Sequence, residues 1–499
     1  MNTFTRRRLL ATAGTALLTG AAGAMLGLRI SHKRPKHVIL VVIDALRADH
    51  LGCYGGRYQT ALGPISLTPK LDRIASRGTV FERCVAPSSW TMMSVPSILA
   101  SRFPFVEGDV FNLSFLPPRA LTLAQVLRSA GYSTHAILAN PSLQIETSGK
   151  DTICRGFDTY EVQPADMVPN PFLAKGLGPK KVYEHLPRAK PILTSGLERL
   201  RRAHAAGKPA FIYVHLMETH EPYTAAPQFT RRLGPPPAGI PDFMTYHVIR
   251  YWANCNKRTV IGKGDRPLVE RAHEVYRAAT RTVDDDLDLL IDYLDGSDEG
   301  AETLLVVTSD HGEEFADHNW IGHAETLYDE CLHVPFIMWG AGIPRGLRRS
   351  NAVSSIDIAP TILRTLGLGA PRSMAGEALD LTDASTARIR PMISSVAKPP
   401  TGGLMTERVY SLMDPSGMKL IRHEFGGPNA GKPATTELYD RANDPQEKAN
   451  LLSAQPQVAA RLDQHLQVIR VRNRSGEAAR TNIDEKSMEQ LKALGYIGG

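Results

Sequence analysis

Residues 38–43 are six consecutive branched aliphatic residues, Val-Ile-Leu-Val-Val-Ile, and the next residue is Asp44. A strand this apolar has no face for water and must be covered on both sides. Such strands belong to parallel sheets with helices on both faces. The runs at 134–138, 211–216, 304–308 and 334–339 read the same way. Longer mixed segments at 121–130, 191–205, 268–294 and 356–366 have helical spacing and stand between them. The alternation predicts a doubly wound α/β sheet whose five apolar runs are buried parallel strands.

In such sheets the working residues stand just beyond the carboxyl ends of strands. Three ends turn polar abruptly here: Asp44, the His215/His220 pair, and Asp310-His311. From about residue 395 the pattern changes. Segments 409–413 and 418–422 read as short antiparallel strands and 456–471 as a helix. These predict a catalytic domain over 37–395, a small C-terminal α+β subdomain over 396–475 and a tail over 476–499, polar as far as 488–496. Segments 160–190 and 225–265, rich in Pro, Gly and Lys/Arg, read as loops around the mouth of a site.

Charge locates a leader. The chain carries a formal +7, yet seven cations and no acid fall within residues 1–36. The remainder balances 51 basic against 51 acidic side chains, which argues against a nucleic-acid partner. Arg6-Arg7-Arg8 precede an Ala/Gly-rich apolar run to Ile30. Paired arginines before such a run predict a twin-arginine-type signal, hence export by that machinery. The product would be periplasmic if Ala22-Gly23-Ala24 is cut. Uncut, the segment would anchor it to the outer face of the bacterial inner membrane, the only membrane contact expected. Five cysteines (Cys53, Cys84, Cys154, Cys255, Cys331) with no CxxC spacing do not make a disulfide framework.

Asp310-His311 offers a divalent metal one oxygen and one nitrogen ligand, and Asp44 would join them if both strands are central. Taken alone, Asp44 reads equally well as a helix cap and His215 as a hydrogen-bonded core histidine. His220 lies past its strand end. His318 and His323 lie in a Gly-containing loop able to fold back over a metal, and His333 reads as structural. A nucleophile is sought in Ser88-Ser89-Trp90-Thr91-Met92-Met93-Ser94, ahead of the helix-like 98–100. A hydroxyl at a helix N-terminus suits an anionic ester. Residue type alone does not choose among Ser88, Ser89, Thr91 and Ser94.

Together these segments resemble a known family. The stretch Val38-Ile39-Leu40-Val41-Val42-Ile43-Asp44-Ala45-Leu46-Arg47-Ala48-Asp49 is similar to the opening motif of the sulfatases, within the alkaline phosphatase superfamily. Ser309-Asp310-His311-Gly312-Glu313-Glu314-Phe315, Gly322-His323-Ala324-Glu325, His333-Val334-Pro335, Asp357-Ile358-Ala359-Pro360-Thr361 and Glu437-Leu438-Tyr439-Asp440 follow in family order. The resemblance implies an alkaline-phosphatase/sulfatase-like α/β sandwich with a central, mostly parallel sheet and a small C-terminal α+β subdomain. It also implies a metal-dependent covalent mechanism. Aligning Leu99…Arg102-Phe103-Pro104 with the family pattern places Thr91 at the nucleophile.

Sulfatases convert a Cys or Ser at that position to formylglycine, and a threonine is not expected to be converted. Val95 stands at the motif's Arg, and Ala139-Asn140-Pro141-Ser142 near its Gly-Lys-Trp-His loop. A threonine nucleophile and Asp-His at 310–311 resemble instead the phosphoryl-transfer branch and the phosphonate monoester hydrolases. The implied roles are metal ligation by Asp44, Thr91, Asp310 and His311, attack by Thr91, and charge stabilisation by His220 and His323. Imidazole favours Zn²⁺ or Mn²⁺, with Ca²⁺ as the alternative. Three readings follow: hydrolysis of a phosphate or related anionic ester (small molecule, glycan or lipid), a sulfuric ester hydrolase, and a catalytically silent binder of anionic ligands.

Overall fold

A computed structural model of the chain describes residues 34–473 apart from 61–62, 105–115, 117–118, 145–152, 170–180, 232, 237–238, 243–244, 246–248, 250–260, 383–389, 398–406 and 427–428. The leader as far as residue 33, Cys255 and the 476–499 tail lie outside the described residues. No helix among the described residues is long and apolar enough to cross a membrane.

Among the described residues the main sheet has nine strands: β1 (His37–Ile43), β2 (Thr79–Val85), β3 (Ser133–Leu138), β4 (Thr159–Val162), β5 (Ala210–Leu216), β6 (Thr303–Thr308), β7 (His333–Val334), β8 (Phe336–Gly340) and β9 (Leu347–Ser354). Their order is β7-β2-β8-β6-β1-β5-β3-β4, with β9 also paired to β2. From β6 to β4 every pairing is parallel. All residues of β1, β5 and β6 are buried, as an unbroken apolar run requires. Helix α1 (Thr91–Ala100) leads to the site described below; α2 (Ala189–Ala205) packs on β5 and on the long α3 (Arg266–Gly296). Leu123–Ser129 and Ile358–Thr365 are the other two expected helices, each trimmed at both ends.

One expectation fails. The run 334–339 is not a parallel strand: Pro335 separates β7 from β8, and β8 runs antiparallel to both β6 and β2. An all-buried run carries no record of direction. Residues 309–332 stay at the edge where β6 ends, so the chain re-enters the sheet from that edge and must run backwards.

A separate four-stranded antiparallel sheet follows: β10 (Met392–Ala397), β11 (Glu407–Met413), β12 (Met418–Phe425) and β13 (Thr435–Asp440). Strand β10 straddles the boundary expected at 395/396. Helix α4 (Pro456–Asn473) closes this unit, Leu462 and Leu466 packing with Tyr410, Leu412, Leu420 and Leu438.

His423 joins the unit electrostatically. Its Nδ1 is 2.7 Å from Glu407 Oε1 and its Nε2 3.1 Å from Glu437 Oε1. Burial disfavours the imidazolium, but Glu407 and Glu437 outweigh burial and raise its pKa from 6.5 to about 9. A raised folded-state value stabilises fully below pH 6.5, and the stabilisation is lost as pH climbs through 9. His423→Gln is therefore expected to melt earlier than wild type below pH 6.5 and to converge with it above 9. The gap corresponds to on the order of 3 kcal/mol at most. Paired thermal melts across that window measure it, and a pH-independent gap would refute the linkage.

Candidate active site

Parallel pairing fixes the first part of the site. Val42 of β1 stands opposite Thr308 of β6 and His215 of β5. The residues following these strands therefore leave the sheet side by side, which places Asp44 between His215 and Asp310. Asp44 is fully buried. Its Oδ2 accepts from Asn140 Nδ2 at 2.7 Å and lies 2.9 Å from His215 Nε2. The other nitrogen of His215 meets Tyr213 Oη at 2.8 Å. His215 is thus a hydrogen-bonded core histidine, one of the two roles the sequence offered, and what it orients is the Asp44 carboxylate.

The turn after β1 is held from below. Tyr276 of α3 donates to Ala45 O at 2.9 Å and accepts from Arg47 N at 2.9 Å. Ala45 has φ +58°, a left-handed geometry unfavourable for a residue with a Cβ. The Tyr276 clamp and Thr219 Oγ1, which donates to Asp44 O at 2.6 Å, hold the turn against that cost.

The structure separates the four candidate hydroxyls. Helix α1 begins at Thr91 rather than near 98, and all ten of its residues are buried. Thr91 Oγ1 lies 3.0 Å from His311 Nε2 and 3.5 and 3.4 Å from the two Asp44 oxygens. Ser94 Oγ donates instead to Asp310 O at 2.6 Å, tying the helix to the β6 edge. The Ser88 and Ser89 hydroxyls make no hydrogen bond among the described residues.

Asp44, Asp310 and His311 form a buried group whose donor atoms lie within 4.8 Å of one another. His311 Nδ1 donates to Gly312 O at 2.9 Å, so in the neutral ring Nε2 carries the lone pair and faces Thr91 and the carboxylates. Such an outer bond is what orients a ligating imidazole. Asp310 Oδ2 is buried and accepts no hydrogen bond. Burial raises the Asp310 carboxyl, and Asp44 raises it further. Burial acts on Asp44 in the same sense, but the imidazoles of His220, His215 and His311 outweigh it and hold that carboxyl below the usual range. A buried carboxylate oxygen without a donor, a second carboxylate, an imidazole lone pair and a hydroxyl fit a divalent cation, and the nitrogen suits Zn²⁺ or Mn²⁺ better than Ca²⁺.

His220 and His323 complete the wall, their ring centroids 4.7 Å apart and that of His323 4.3 Å from His311. Burial lowers the His220 pKa to about 4. Two carboxylates accompany them that the sequence reading did not single out. Glu313 Oε1 lies 3.0 Å from His323 Nδ1, and Glu221 Oε2 3.3 Å from His220 Nδ1. Burial and the neighbouring Glu221 push Glu313 well above the usual carboxyl range. Asn140 was also missed as a participant. The signal for it was a polar residue just beyond the end of β3, the same signal that exposed Asp44.

His323 arrives by a small hairpin, Glu314–Phe315 against Ile321–Gly322. Ala324 takes φ +66° and donates to Ser89 O at 2.8 Å, fastening the His323 loop to the segment before Thr91. His318 does not join it: its Nδ1 meets Glu330 Oε1 at 2.6 Å and its Nε2 meets Glu447 O at 3.0 Å. Glu447 also accepts from Asp329 N at 2.8 Å, and Arg441 pairs with Asp329. The C-terminal unit therefore braces the loop that carries His323. His333 Nε2 donates to Glu82 O at 2.8 Å, a structural role as expected.

Residues 36–368 match the family described as Sulfatase, and residues 316–472 match the one described as N-sulphoglucosamine sulphohydrolase, C-terminal. The chain belongs to the sulfatase family. It is an ester hydrolase with the α/β fold of the alkaline phosphatase superfamily, and enzymes of this kind generally use a divalent metal. Among its relatives is the N-acetylglucosamine-6-O-sulfatase of Bacteroides thetaiotaomicron, 24% identical over 413 residues, which cover 70% of each chain. A structure solved in complex with its substrate D-glucosamine-2-N,6-O-disulfate superposes with a TM-score of 0.64 at 21% identity, covering 90% of this chain and all of that one. The phosphonate monoester hydrolase of Silicibacter pomeroyi gives 0.63 at 20% identity, covering 90% of this chain and 99% of its own.

Proposed function

We propose that this sulfatase-family hydrolase is metal-dependent and cleaves phosphate mono- or diesters, or related anionic esters, through a covalent Thr91 intermediate. The observation that carries the reading is the unmodified Thr91 hydroxyl at the start of α1, 3.0 Å from His311 Nε2 and beside both Asp44 oxygens. Asp44, Asp310, His311 and Thr91 would hold the cation. When bound, it supplies Lewis-acid charge that eases ionisation of a neighbouring hydroxyl.

The protein's own groups do the rest. Buried α1 aims Thr91 Oγ1, which forms its bond to phosphorus as the bond to the leaving alcohol breaks. The proton released from Thr91 Oγ1 ends on the leaving oxygen, which departs as the alcohol. His220 and His323 face the same pocket and stabilise charge that grows on the non-bridging oxygens. Water then attacks phosphorus, returning the Thr91 alcohol and releasing the phosphoryl group.

A second reading, sulfuric ester hydrolysis by the same hydroxyl, is favoured by the match of 316–472 to a sulphohydrolase C-terminal family and by the Bacteroides relative. The charge argument ranks phosphate ahead. A phosphate monoester dianion carries one more negative charge than a sulfate ester and gains more from a cation flanked by histidines. Metal-loaded protein is expected to turn over a chromogenic phosphate monoester at least about 10-fold faster, in kcat/KM, than the matching sulfate, about 1.4 kcal/mol. Equal or better turnover of the sulfate would reverse the ranking.

A further inference from the structure

We propose that Glu313, itself held by Tyr223, is a positioning residue for His323: it receives the His323 Nδ1 proton in a hydrogen bond and so sets the ring with Nε2 toward the transferring group. The inference deepens the proposed function, because it rests on His323 stabilising the charge that grows there.

Both oxygens of the carboxylate are engaged. Oε1 lies 3.0 Å from His323 Nδ1, and Oε2 accepts from Tyr223 Oη at 3.2 Å. A neutral imidazole carries one N–H, and the partner of one nitrogen decides which nitrogen has it. An acceptor at Nδ1 draws the proton there and makes Nε2 the end that meets the reaction. His311 is set in the same way by the Gly312 carbonyl at 2.9 Å. Glu221 is the other carboxylate near the His323 ring, but its Oε2 is 3.8 Å from Nδ1, beyond hydrogen-bond reach. It stands closer to His220, whose Nδ1 donates to the Glu221 carbonyl at 2.7 Å. Glu313 is therefore the carboxylate that orients His323.

The arrangement is anchored on every side. Glu313 has no exposed surface. Its carbonyl accepts from Arg47 Nη1 at 3.0 Å, and its N–H donates to Glu330 O at 3.0 Å. Arg47 also pairs with Asp317 at 2.8 Å, so the segment that carries Asp44 holds both ends of 313–317. The Tyr223 ring stands edge-on to Tyr276 at 5.6 Å and lies 5.7 Å from Phe315. Tyr276 is the residue that clamps the turn after β1. One buried framework thus places Asp44 and, through Glu313, the His323 ring. A group acting on a transition state must be held to within about 0.5 Å, and a packed carboxylate with two donors supplies that.

Nitrogen-15 spectra of the histidine-labelled chain without substrate test the tautomer. The signal lost in His323→Ala is expected to report its proton on Nδ1 in wild type. Glu313→Leu fills the space and offers no acceptor. It should move that signal off the Nδ1–H tautomer and lower kcat on the best chromogenic ester by about 10-fold or more, with KM within about threefold of wild type. Glu313→Gln should recover most of kcat, since an amide oxygen accepts from Nδ1 and its N–H can face Tyr223 Oη. A residue that only packs would gain nothing from the amide. Tyr223→Phe keeps the ring, leaves Glu313 untouched and should lower kcat about threefold or more. Wild-type kcat in both Glu313→Leu and Tyr223→Phe overturns the proposal. So does a His323 proton on Nε2 in wild type, or a tautomer that responds to Glu221→Gln and not to Glu313→Leu. Activity surviving in Thr91→Ala would sink the threonine reading and leave the tautomer result standing.

Discussion

Thr91→Ala is expected to lower kcat by at least about 10³-fold, while Thr91→Ser stays within about 10-fold of wild type. Alanine removes the only group on that side chain able to bond to phosphorus. Neighbouring hydroxyls do not substitute: Ser94 Oγ is committed to Asp310 O, and no hydrogen bond ties Ser88 or Ser89 to the carboxylates. Serine keeps the alcohol and loses one methyl from a fully buried position, a cost of about 1 kcal/mol in stability. The contrast separates a nucleophile from a packing residue, because a packing role would make both variants comparably active. Mass spectrometry of a quenched reaction should add a phosphoryl group to a peptide containing Thr91, and to none in the alanine variant. An alanine variant at the wild-type rate would end the assignment.

Removal of metal is expected to have an effect of similar size. Exhaustive chelation should abolish turnover, and Mn²⁺ or Zn²⁺ should restore it better than Ca²⁺. The melting temperature should fall with the metal, since an ion at about 100 times its Kd stabilises a fold by roughly 2.7 kcal/mol. Asp44→Asn should mimic chelation. Asn140 Nδ2 points at Asp44 Oδ2, and His215 Nε2 lies as close. An amide oxygen placed there brings no charge, and an amide nitrogen sets donor against donor. A chelated protein that keeps its rate and its melting temperature would remove the metal from the account.

Much of this was legible in the chain itself, for identifiable reasons. Six aliphatic residues followed by an aspartate mark a central strand and its active end, because neither burial nor an abrupt carboxylate has a cheap alternative. Asp310-His311 was legible on the same ground. His220 and His323 were legible as candidates through motif context. Glu221 and Glu313 were not: a glutamate beside a histidine in sequence says nothing of whether water reaches it. Asn140 was hidden by its neutrality, and His215 by the ambiguity of a histidine within a strand. The direction of β8 was lost because a run buried on both faces looks alike read either way.

Sequence alone determined the fold class, the family and the kinds of atom available for chemistry, since periodicity, burial and residue identity are properties of the string. Tertiary structure supplied the distances behind choices that only the family pattern had made: Thr91 is the hydroxyl that stands between Asp44 and His311, and His323 joins the pocket while His318 is bound to Glu330 and Glu447. Those choices depend on distances of a few ångströms between residues as far apart as 44, 91, 220 and 311. Only the parallel register of β5, β1 and β6 and the fold-back of one hairpin set such distances.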